Sequence, residues 1–404
     1  MGGVQLPEAL ASRGERVDIV GATKLFGPKA ALSALDLQVE PRSFVVLLGP
    51  SGSGKTTLLR CLAGIERLSS GRISIGGKVV ADTNLHLPPE RRGLAMVFQD
   101  YALWPHMTAA RNVLFPLRQM RVSGPEAHRR AHEMLERVGL AHLAERYPNE
   151  LSGGEQQRVA LARSLVGGVG LLLFDEPLSN LDADMREQLR LAISTLARDS
   201  GATSVYITHD QSEAFSLADS VGVLRDGRLV QWGTPEELYR QPASPFVARF
   251  TGICTEAPVT RVGSGTGTPG AQLVDVRLPG PGGAVVTATL PRPVNDGAPL
   301  EMFVRPSAVH IVAPADAQLM AQVRDVAFAG RGYEHALAAE GPILFTRIFS
   351  DQRWERGSSV GMRLSPDGCL VLPADDGHAA ADGNGRANLV DLTAVGSVLP
   401  RQAS

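Results

Sequence analysis

Short apolar runs alternate with segments of helical periodicity from residue 17 to residue 242. Three of these runs are continuous and typical of buried parallel strands, namely Val45–Leu48, Leu171–Phe174 and Val205–Thr208. Strands that alternate with helices in this way form parallel sheets covered by helices. The pattern therefore predicts an α/β domain over residues 17–242.

Two local patterns refine this prediction. The chain turns helical between Met107 and Tyr147, and Pro125 would lie in the first turn of a helix over Glu126–Val138. We therefore expect a helical subdomain at about residues 100–160. Further on, Asp226-Gly227 separates two apolar runs, which predicts a two-residue hairpin.

After Pro242 the chain changes to short alternating segments punctuated by Gly and Pro. The clearest segments are Ala284–Leu290, Met302–Arg305 and Ile343–Phe349. Strands of this length and spacing predict a small all-β domain over residues 254–372, most simply a barrel. Residues 1–16 and 373–404 are expected to be flexible tails, since the second is rich in Ala, Gly, Asp and Asn.

Composition limits the classes of protein to consider. The 404 residues suffice for two or three domains, and no window of about 18 apolar residues is present to span a bilayer. The first residues lack the apolar centre of a secretion signal. Three scattered cysteines without metal-ligand spacing fit a reduced cytosolic setting. Lysine and arginine number 40 against 42 acidic residues, which argues against nucleic acid as the main partner.

A glycine-rich segment follows the first buried strand and precedes an apolar helical stretch. It comprises Gly49, Pro50, Ser51, Gly52, Ser53, Gly54, Lys55, Thr56 and Thr57. In a strand–loop–helix context this is a phosphate-binding loop, whose backbone N–H groups and helix N-terminus bind a nucleoside triphosphate. Lys55 would reach the β- and γ-phosphates and the Thr56 hydroxyl would ligate Mg²⁺. The alternative is an ordinary glycine-rich turn.

Two carboxylates follow the second buried strand, where ligands of parallel sheets bind. Asp175 is the expected Mg²⁺ carboxylate, and Glu176 is placed to polarise an attacking water. Taken alone, the pair could equally be solvated carboxylates at a strand end. Together with the phosphate loop it predicts a nucleotide hydrolase.

The segment Leu151–Arg158 opens a helix with Ser152 as its cap and with Gly153 and Gly154 exposing backbone N–H groups, which makes a second anion site. This segment resembles the signature loop of the ATP-binding cassette (ABC) ATPases. The resemblance implies a P-loop NTPase fold with a helical subdomain, and ATP with Mg²⁺ as cofactors. Many importers of the most similar subgroup carry Gln where this chain has Glu155, and any consequence would appear in affinity for a partner's phosphate.

Further motifs of the family follow in its order. Gln99 matches the glutamine loop, which senses Mg²⁺ and the water, Asp182 ends the D-loop, and His209 matches the switch histidine at the γ-phosphate. Phe26 stands at the adenine-stacking position, although a core phenylalanine is the alternative. The resemblance thus makes Glu176, His209 and Gln99 catalytic, and Thr56, Gln99 and Asp175 metal-binding.

The stretches Gly233–Pro242 and Phe246–Gly252 are similar to the end of the ATPase domain in bacterial importers of sugars, polyamines, ferric iron and sulfate. In that group an oligonucleotide/oligosaccharide-binding (OB)-type barrel pair follows. Phe303–Pro306 matches its arginine–proline signature, and Val326–Gly330 with Tyr333 is similar to its last strand pair. The segment Tyr101–Thr108 resembles the surface that faces the permease, and favours ferric iron or polyamine slightly; packing of the helical insert is the alternative for its side chains.

The group's architecture implies a head-to-tail homodimer, in which two ATP molecules lie between Lys55 of one chain and Ser152 and Gly154 of the other. It also implies integral-membrane permease subunits, a periplasmic or lipid-anchored substrate-binding protein, and a place at the cytoplasmic face of the inner membrane. Two alternatives are a soluble ABC ATPase acting in translation or DNA repair, and a regulatory protein with an inactive cassette. Residues 254–372 are expected to be dispensable for hydrolysis.

Overall fold

The computed structural model describes residues 14–122, 124–179, 181–263, 272–280, 282–294, 297–339 and 343–374. The tails expected at residues 1–16 and 373–404 lie outside these ranges apart from residues 14–16 and 373–374. Among the described residues, no helix is both long enough and apolar enough to cross a membrane.

Two sheets form the first part of the chain. Their strands are β1 (Val17–Phe26), β2 (Lys29–Val39), β3 (Phe44–Leu48), β4 (Ser70–Ile75), β5 (Lys78–Ala81), β6 (Leu94–Val97), β7 (Leu171–Asp175), β8 (Thr203–Thr208), β9 (Ser220–Arg225) and β10 (Arg228–Gly233). One sheet is antiparallel, in the order β2-β1-β4-β5. The other has the order β10-β9-β3-β8-β7-β6, and its strands are parallel except for β10 at one edge.

Eight helices cover these sheets in the described residues. They are α1 (Lys55–Ala63), α2 (Ala109–Gln119), α3 (Gly124–Arg137), α4 (Gly153–Leu165), α5 (Ala183–Ser200), α6 (Gln211–Leu217), α7 (Pro235–Arg240) and α8 (Pro245–Phe250). Side-chain oxygens of Ser, Thr or Asp cap six of them, which explains where these helices begin. The capping residues are Thr108, Ser152, Asp182, Asp210, Thr234 and Ser244.

The parallel sheet is buried on both faces, so its strands carry continuous apolar runs. Phe44, Val46 and Leu48 of β3 face one core, to which helices α2–α6 contribute. Val45 and Leu47 of the same strand face a second core, built with α1 and the antiparallel sheet. The three continuous strands predicted from the sequence are therefore confirmed. The hairpin is confirmed too: Asp226 and Gly227 have φ of 50° and 73°, and they join β9 to β10.

The second part of the described chain is all β. Its strands are β11 (Thr255–Arg261), β12 (Gln272–Arg277), β13 (Val285–Leu290), β14 (Leu300–Val304), β15 (Val309–Val312), β16 (Leu319–Phe328), β17 (Tyr333–Ala339), β18 (Leu344–Ser350), β19 (Ser359–Leu364) and β20 (Cys369–Pro373). A closed barrel has the order β11-β12-β13-β20-β14, and a five-stranded sheet has the order β15-β19-β16-β17-β18.

One expectation about this part is wrong. Val326–Phe328 and Tyr333 do belong to two paired strands, β16 and β17, and Ala329 and Gly330 follow the end of β16. That pair is not the last one, because β18 pairs with β17, β19 lies between β15 and β16, and β20 returns to close the barrel. The sequence pattern placed these strands correctly but could not show which strands pair across such separations.

Candidate active site

The phosphate loop connects β3 to α1, as its sequence predicts. Strand β3 is buried along its whole length, and α1 begins at Lys55. Gly54 caps this helix with φ of 102°, and a Cβ atom there would lie 2.5 Å from the carbonyl oxygen of Ala31. Only glycine fits this position, so the backbone N–H groups at the start of α1 stay accessible to an anion.

Lys55 lies inside this loop. Its ammonium donates hydrogen bonds to the carbonyl oxygens of Gly49 at 2.7 Å and Pro50 at 3.1 Å, and the residue is 4% exposed. Burial lowers the pKa of Lys55, and the charges of Glu176 and Asp175 oppose this shift. The loop therefore presents a desolvated cation that a phosphate group could pair with more fully than these carbonyls do.

Asp175 ends strand β7 and is 6% exposed. Burial raises the pKa of this carboxyl group, whereas Arg60 and a side-chain hydrogen bond from Thr56 lower it. A buried carboxylate beside a threonine hydroxyl is a set of hard oxygen donors that suits Mg²⁺. The described residues contain no group of three or more His, Cys, Asp and Glu side chains placed to hold a metal.

Glu176 and His209 form a pair at the same edge. Glu176 has a left-handed backbone with φ of 43°, and its carboxylate lies 3.0 Å from Nδ1 of His209. The carboxylate is partly shielded, with 22% side-chain exposure, whereas the His209 side chain is 58% exposed. Backbone strain of this kind concentrates at functional sites.

The carboxyl ends of four neighbouring strands meet here. The register pairs Leu48 with Thr208, Asp175 with Ile207, and Val97 with Phe174. The next residues along each strand are consequently neighbours at one edge of the sheet. These residues are Gly49, His209, Glu176 and, two positions beyond Val97, Gln99.

The signature segment begins α4 on the helical side. Ser152 caps the helix, and Glu155 closes a capping box: its carboxylate accepts hydrogen bonds from the backbone N–H and the hydroxyl of Ser152, both at 2.8 Å. Glu155 thus stabilises the helix start, which explains how an acidic residue is accommodated there. These hydrogen bonds lower the pKa of Glu155.

Asp182 caps α5 by accepting a hydrogen bond from the backbone N–H of Met185 at 2.9 Å. A Cβ atom at Gly154 would meet the sulfur of Met185 at 2.3 Å, and one at Gly153 would lie 3.7 Å from Leu181. The signature glycines therefore pack against the start of α5. In the described part of the chain, no hydrogen bond joins Ser152–Gly154 to the phosphate loop.

Phe26 ends β1 with half of its surface exposed, and the ammonium of Lys24 lies 4.6 Å from its ring centroid. The ring is therefore not a core residue, the alternative weighed from the sequence. An exposed aromatic ring is available for stacking.

A small polar pocket, of which His209 is part of the lining, had no signal in the sequence. It is lined by Glu176, Ser179, Arg186, Thr208, His209, Asp210 and Glu213. The buried Glu213 accepts a hydrogen bond from the Tyr206 hydroxyl at 2.8 Å, and burial raises the pKa of its carboxyl group. Such a network depends on contacts between α6 and β8, which no local pattern reveals.

Comparison with known proteins agrees with this geometry. The model of the ABC transporter family matches residues 32–179, and that of the TOBE domain matches residues 302–372. The Fe(3+) ions import ATP-binding protein FbpC of Photorhabdus laumondii is 38% identical over 88% of this chain and 97% of its own length. The sulfate/thiosulfate import ATP-binding protein CysA 2 of Chromobacterium violaceum is 42% identical over 83% of this chain and 87% of its own length.

Among solved structures, a dimeric structure of MJ0796, a bacterial ABC transporter cassette, is 32% identical and has a TM-score of 0.49. It matches 54% of this chain and 98% of that chain. The relatives among import proteins are similar over nearly their whole lengths, and the phosphate loop, Asp175, Glu176 and the signature segment all lie within the matched region. The chain therefore belongs to the ABC transporter family and is an ATPase.

Proposed function

We propose that two copies of the chain close head to tail around two ATP molecules and thereby drive a permease. The observation that carries this proposal is the separation of two anion sites within one chain. Ser152–Gly154 pack against α5, and their hydrogen bonds do not reach the phosphate loop. This separation favours a role for the signature segment at the nucleotide of another copy.

Within each site, Lys55 binds the β- and γ-phosphates, and the other loop residues from Gly49 to Thr57, apart from Pro50, supply backbone N–H groups. Phe26 stacks on the base. Glu176 acts as general base on the attacking water, and His209, 3.0 Å from it, contacts the γ-phosphate. Thr56, Asp175 and Gln99 would hold Mg²⁺, which would neutralise charge on the phosphates. Asp182, with Ser152, Gly153 and Gly154, completes the partner's site.

The experiment is light scattering of the Glu176→Gln variant with ATP and Mg²⁺. Removal of the general base preserves bound ATP, so the variant should have the mass of a dimer. A Lys55→Ala/Glu176→Gln control should stay monomeric, because the phosphates lose their cation. A Glu176→Gln protein that remains monomeric at high concentration, while saturated with ATP, contradicts the sandwich.

The similar import proteins support a place for the chain at the cytoplasmic face of the inner membrane, bound to permease subunits and supplied by a substrate-binding protein. Ferric iron is the favoured cargo, since several of these relatives carry that name, with sulfate as the second candidate. Co-purification with a membrane partner tests the assembly. Radioactive ferric iron and sulfate uptake in cells lacking the gene separates the two cargoes.

We also propose the division into an ATPase domain over residues 17–242, with its helical subdomain at about 100–160, and a regulatory domain over residues 254–372. The α/β sheets and the barrel have separate hydrophobic cores, which supports it. Helix α8 (Pro245–Phe250) lies between the two ranges. Its Val247 belongs to the α/β core, whereas its Ala248 packs against residues of the barrel. Limited proteolysis should cut the chain outside both ranges first.

A further inference from the structure

The chain takes an unusual backbone path just after Gln99. Tyr101 and Ala102 are consecutive residues with φ of 61° and 45°, both in the left-handed region. Residues other than glycine adopt this conformation at a cost, so the surrounding structure must hold them there. The roles assigned so far to Gln99 and the phosphate loop do not account for this strained pair.

Arg163, near the end of helix α4, holds both residues. Its guanidinium donates hydrogen bonds to the carbonyl oxygens of Tyr101 at 2.8 Å and Ala102 at 2.7 Å, and the residue is 8% exposed. No carboxylate of the described residues pairs with it. Burial lowers the pKa of Arg163 to about 10, so the side chain is still charged at neutral pH. A buried cation whose partners are backbone carbonyls of a strained loop has a positional role.

The next turn of this segment is fixed as well. The guanidinium of Arg163 stacks on the ring of Trp104, 4.9 Å from its centroid. The ring of Trp104 in turn packs against that of Phe115 on α2, with 4.3 Å between the two ring centroids. Asn112, also on α2 and fully buried, accepts from the backbone N–H of Trp104 and donates to its carbonyl oxygen. The segment Tyr101–Trp104 is thus held by α4 on one side and by α2 on the other.

Helix α4 carries the signature segment at its other end. Arg163 lies eleven positions after Ser152, which corresponds to about 16 Å along a helix. We infer that Arg163 is a positioning residue that joins the Gln99 loop and the signature helix into one unit, so that nucleotide at Gln99 sets the orientation of Ser152–Gly154. This inference rests on the proposed function of those two elements.

The test uses Trp104 as a local reporter in the full-length chain. The chain has three tryptophans, so a parent carrying Trp232→Phe and Trp354→Phe retains only Trp104. ATP with Mg²⁺ should change Trp104 emission in this parent. Arg163→Met should abolish that change and lower kcat at least tenfold, whereas KM and ATP affinity by calorimetry stay within about twofold. Arg163→Lys, which can still donate to one carbonyl, should recover part of both signals.

Arg118→Met is the matched control, since Arg118 is an exposed arginine of α2. It should behave like the parent in emission, kcat and ATP affinity. Three results would overturn the inference: a parent whose emission ignores ATP, an Arg163→Met protein indistinguishable from the control, or one that loses ATP affinity together with turnover. If Arg163→Met does not fold, Arg163→Lys decides, because an unchanged emission response and kcat would show that the paired hydrogen bonds from Arg163 to Tyr101 and Ala102 are dispensable. Dimerisation of Glu176→Gln is measured separately, so failure of the sandwich would be recognised independently.

Discussion

The guanidinium of Arg305 lies 4.2 Å from the ring centroid of Tyr239 and donates a hydrogen bond to the carbonyl oxygen of that residue at 2.6 Å. Tyr239 belongs to α7, whereas Arg305 follows strand β14 of the barrel. The same guanidinium donates to the carbonyl oxygens of Ala248 at 2.9 Å and Gly252 at 2.6 Å. Arg305 is 1% exposed, so a buried cation joins the barrel to the last helices before it.

Arg305→Met should loosen this junction. It removes a donor from the carbonyl groups of Tyr239, Ala248 and Gly252, although Ala248 keeps a hydrogen bond from the Thr251 hydroxyl at 3.3 Å. A buried carbonyl group left unpaired costs about 1–3 kcal/mol. We expect a lower midpoint of thermal unfolding and faster trypsin cleavage near residue 252, with ATP affinity unchanged. Arg363→Met, at an exposed position of β19, is the control. An Arg305→Met protein that melts with the control would show that other contacts hold the domains together.

Glu176→Gln and Lys55→Ala should fail at different steps. Glu176→Gln removes the general base, which typically contributes roughly 10²–10⁴-fold to turnover, and should leave ATP binding intact. Lys55→Ala removes the buried cation of the phosphate loop and should weaken binding itself. Calorimetric titration with ATP and a phosphate-release assay separate the two effects. The assigned roles are wrong if both variants show the same defect in both assays.

Gly54→Ala tests the geometry of the phosphate loop. A Cβ atom there would lie 2.5 Å from the carbonyl oxygen of Ala31, at φ of 102°. The loop must shift to accept it, so we expect at least tenfold weaker ATP binding and a free energy of unfolding lowered by more than about 1 kcal/mol. Gly124→Ala, where no heavy atom lies within 4 Å, should retain both properties. Equal ATP affinity in the two variants would contradict the loop geometry.

The buried strands and the contacts of Arg163 differ in how far the sequence predicts them. The strands that begin at Phe44, Leu171 and Thr203 were predictable because full burial requires apolar runs. The site at their carboxyl ends was predictable because parallel strands bring these ends together. The hydrogen bond from Arg163 to the carbonyl oxygen of Tyr101 was not predictable. The two residues are 62 positions apart, and no local pattern links an arginine to distant carbonyl groups. The return of Cys369–Pro373 to the barrel was hidden for the same reason. The capping box of Glu155 could have been predicted, because Ser152 and Glu155 have the spacing of that motif.

The three thiols should be unreactive in the folded chain. Cys61, Cys254 and Cys369 are buried, and burial raises their pKa to about 11, 12 and 12. At pH 8 iodoacetamide should label none of them within minutes, but all three in urea. Because the folded-state pKa values are raised, the stability they contribute is complete below the unfolded pKa of about 8.5. It should be lost as the pH rises toward about 11 to 12. Rapid labelling of any thiol in the native chain would contradict this.

A chain that ends at Gly252 tests whether the C-terminal domain is dispensable for hydrolysis. No residue of the proposed nucleotide site lies beyond His209, and the α/β cores include no barrel residue. However, Ala248 of α8 packs against Phe303, Leu370 and Leu372, so the truncation uncovers that face of the helix. We therefore expect a soluble protein with a lower midpoint of thermal unfolding, whose ATP affinity and phosphate release per chain stay within about threefold of the full chain. A shortened chain that folds by circular dichroism but cannot bind ATP would show that the barrel supports the nucleotide site itself.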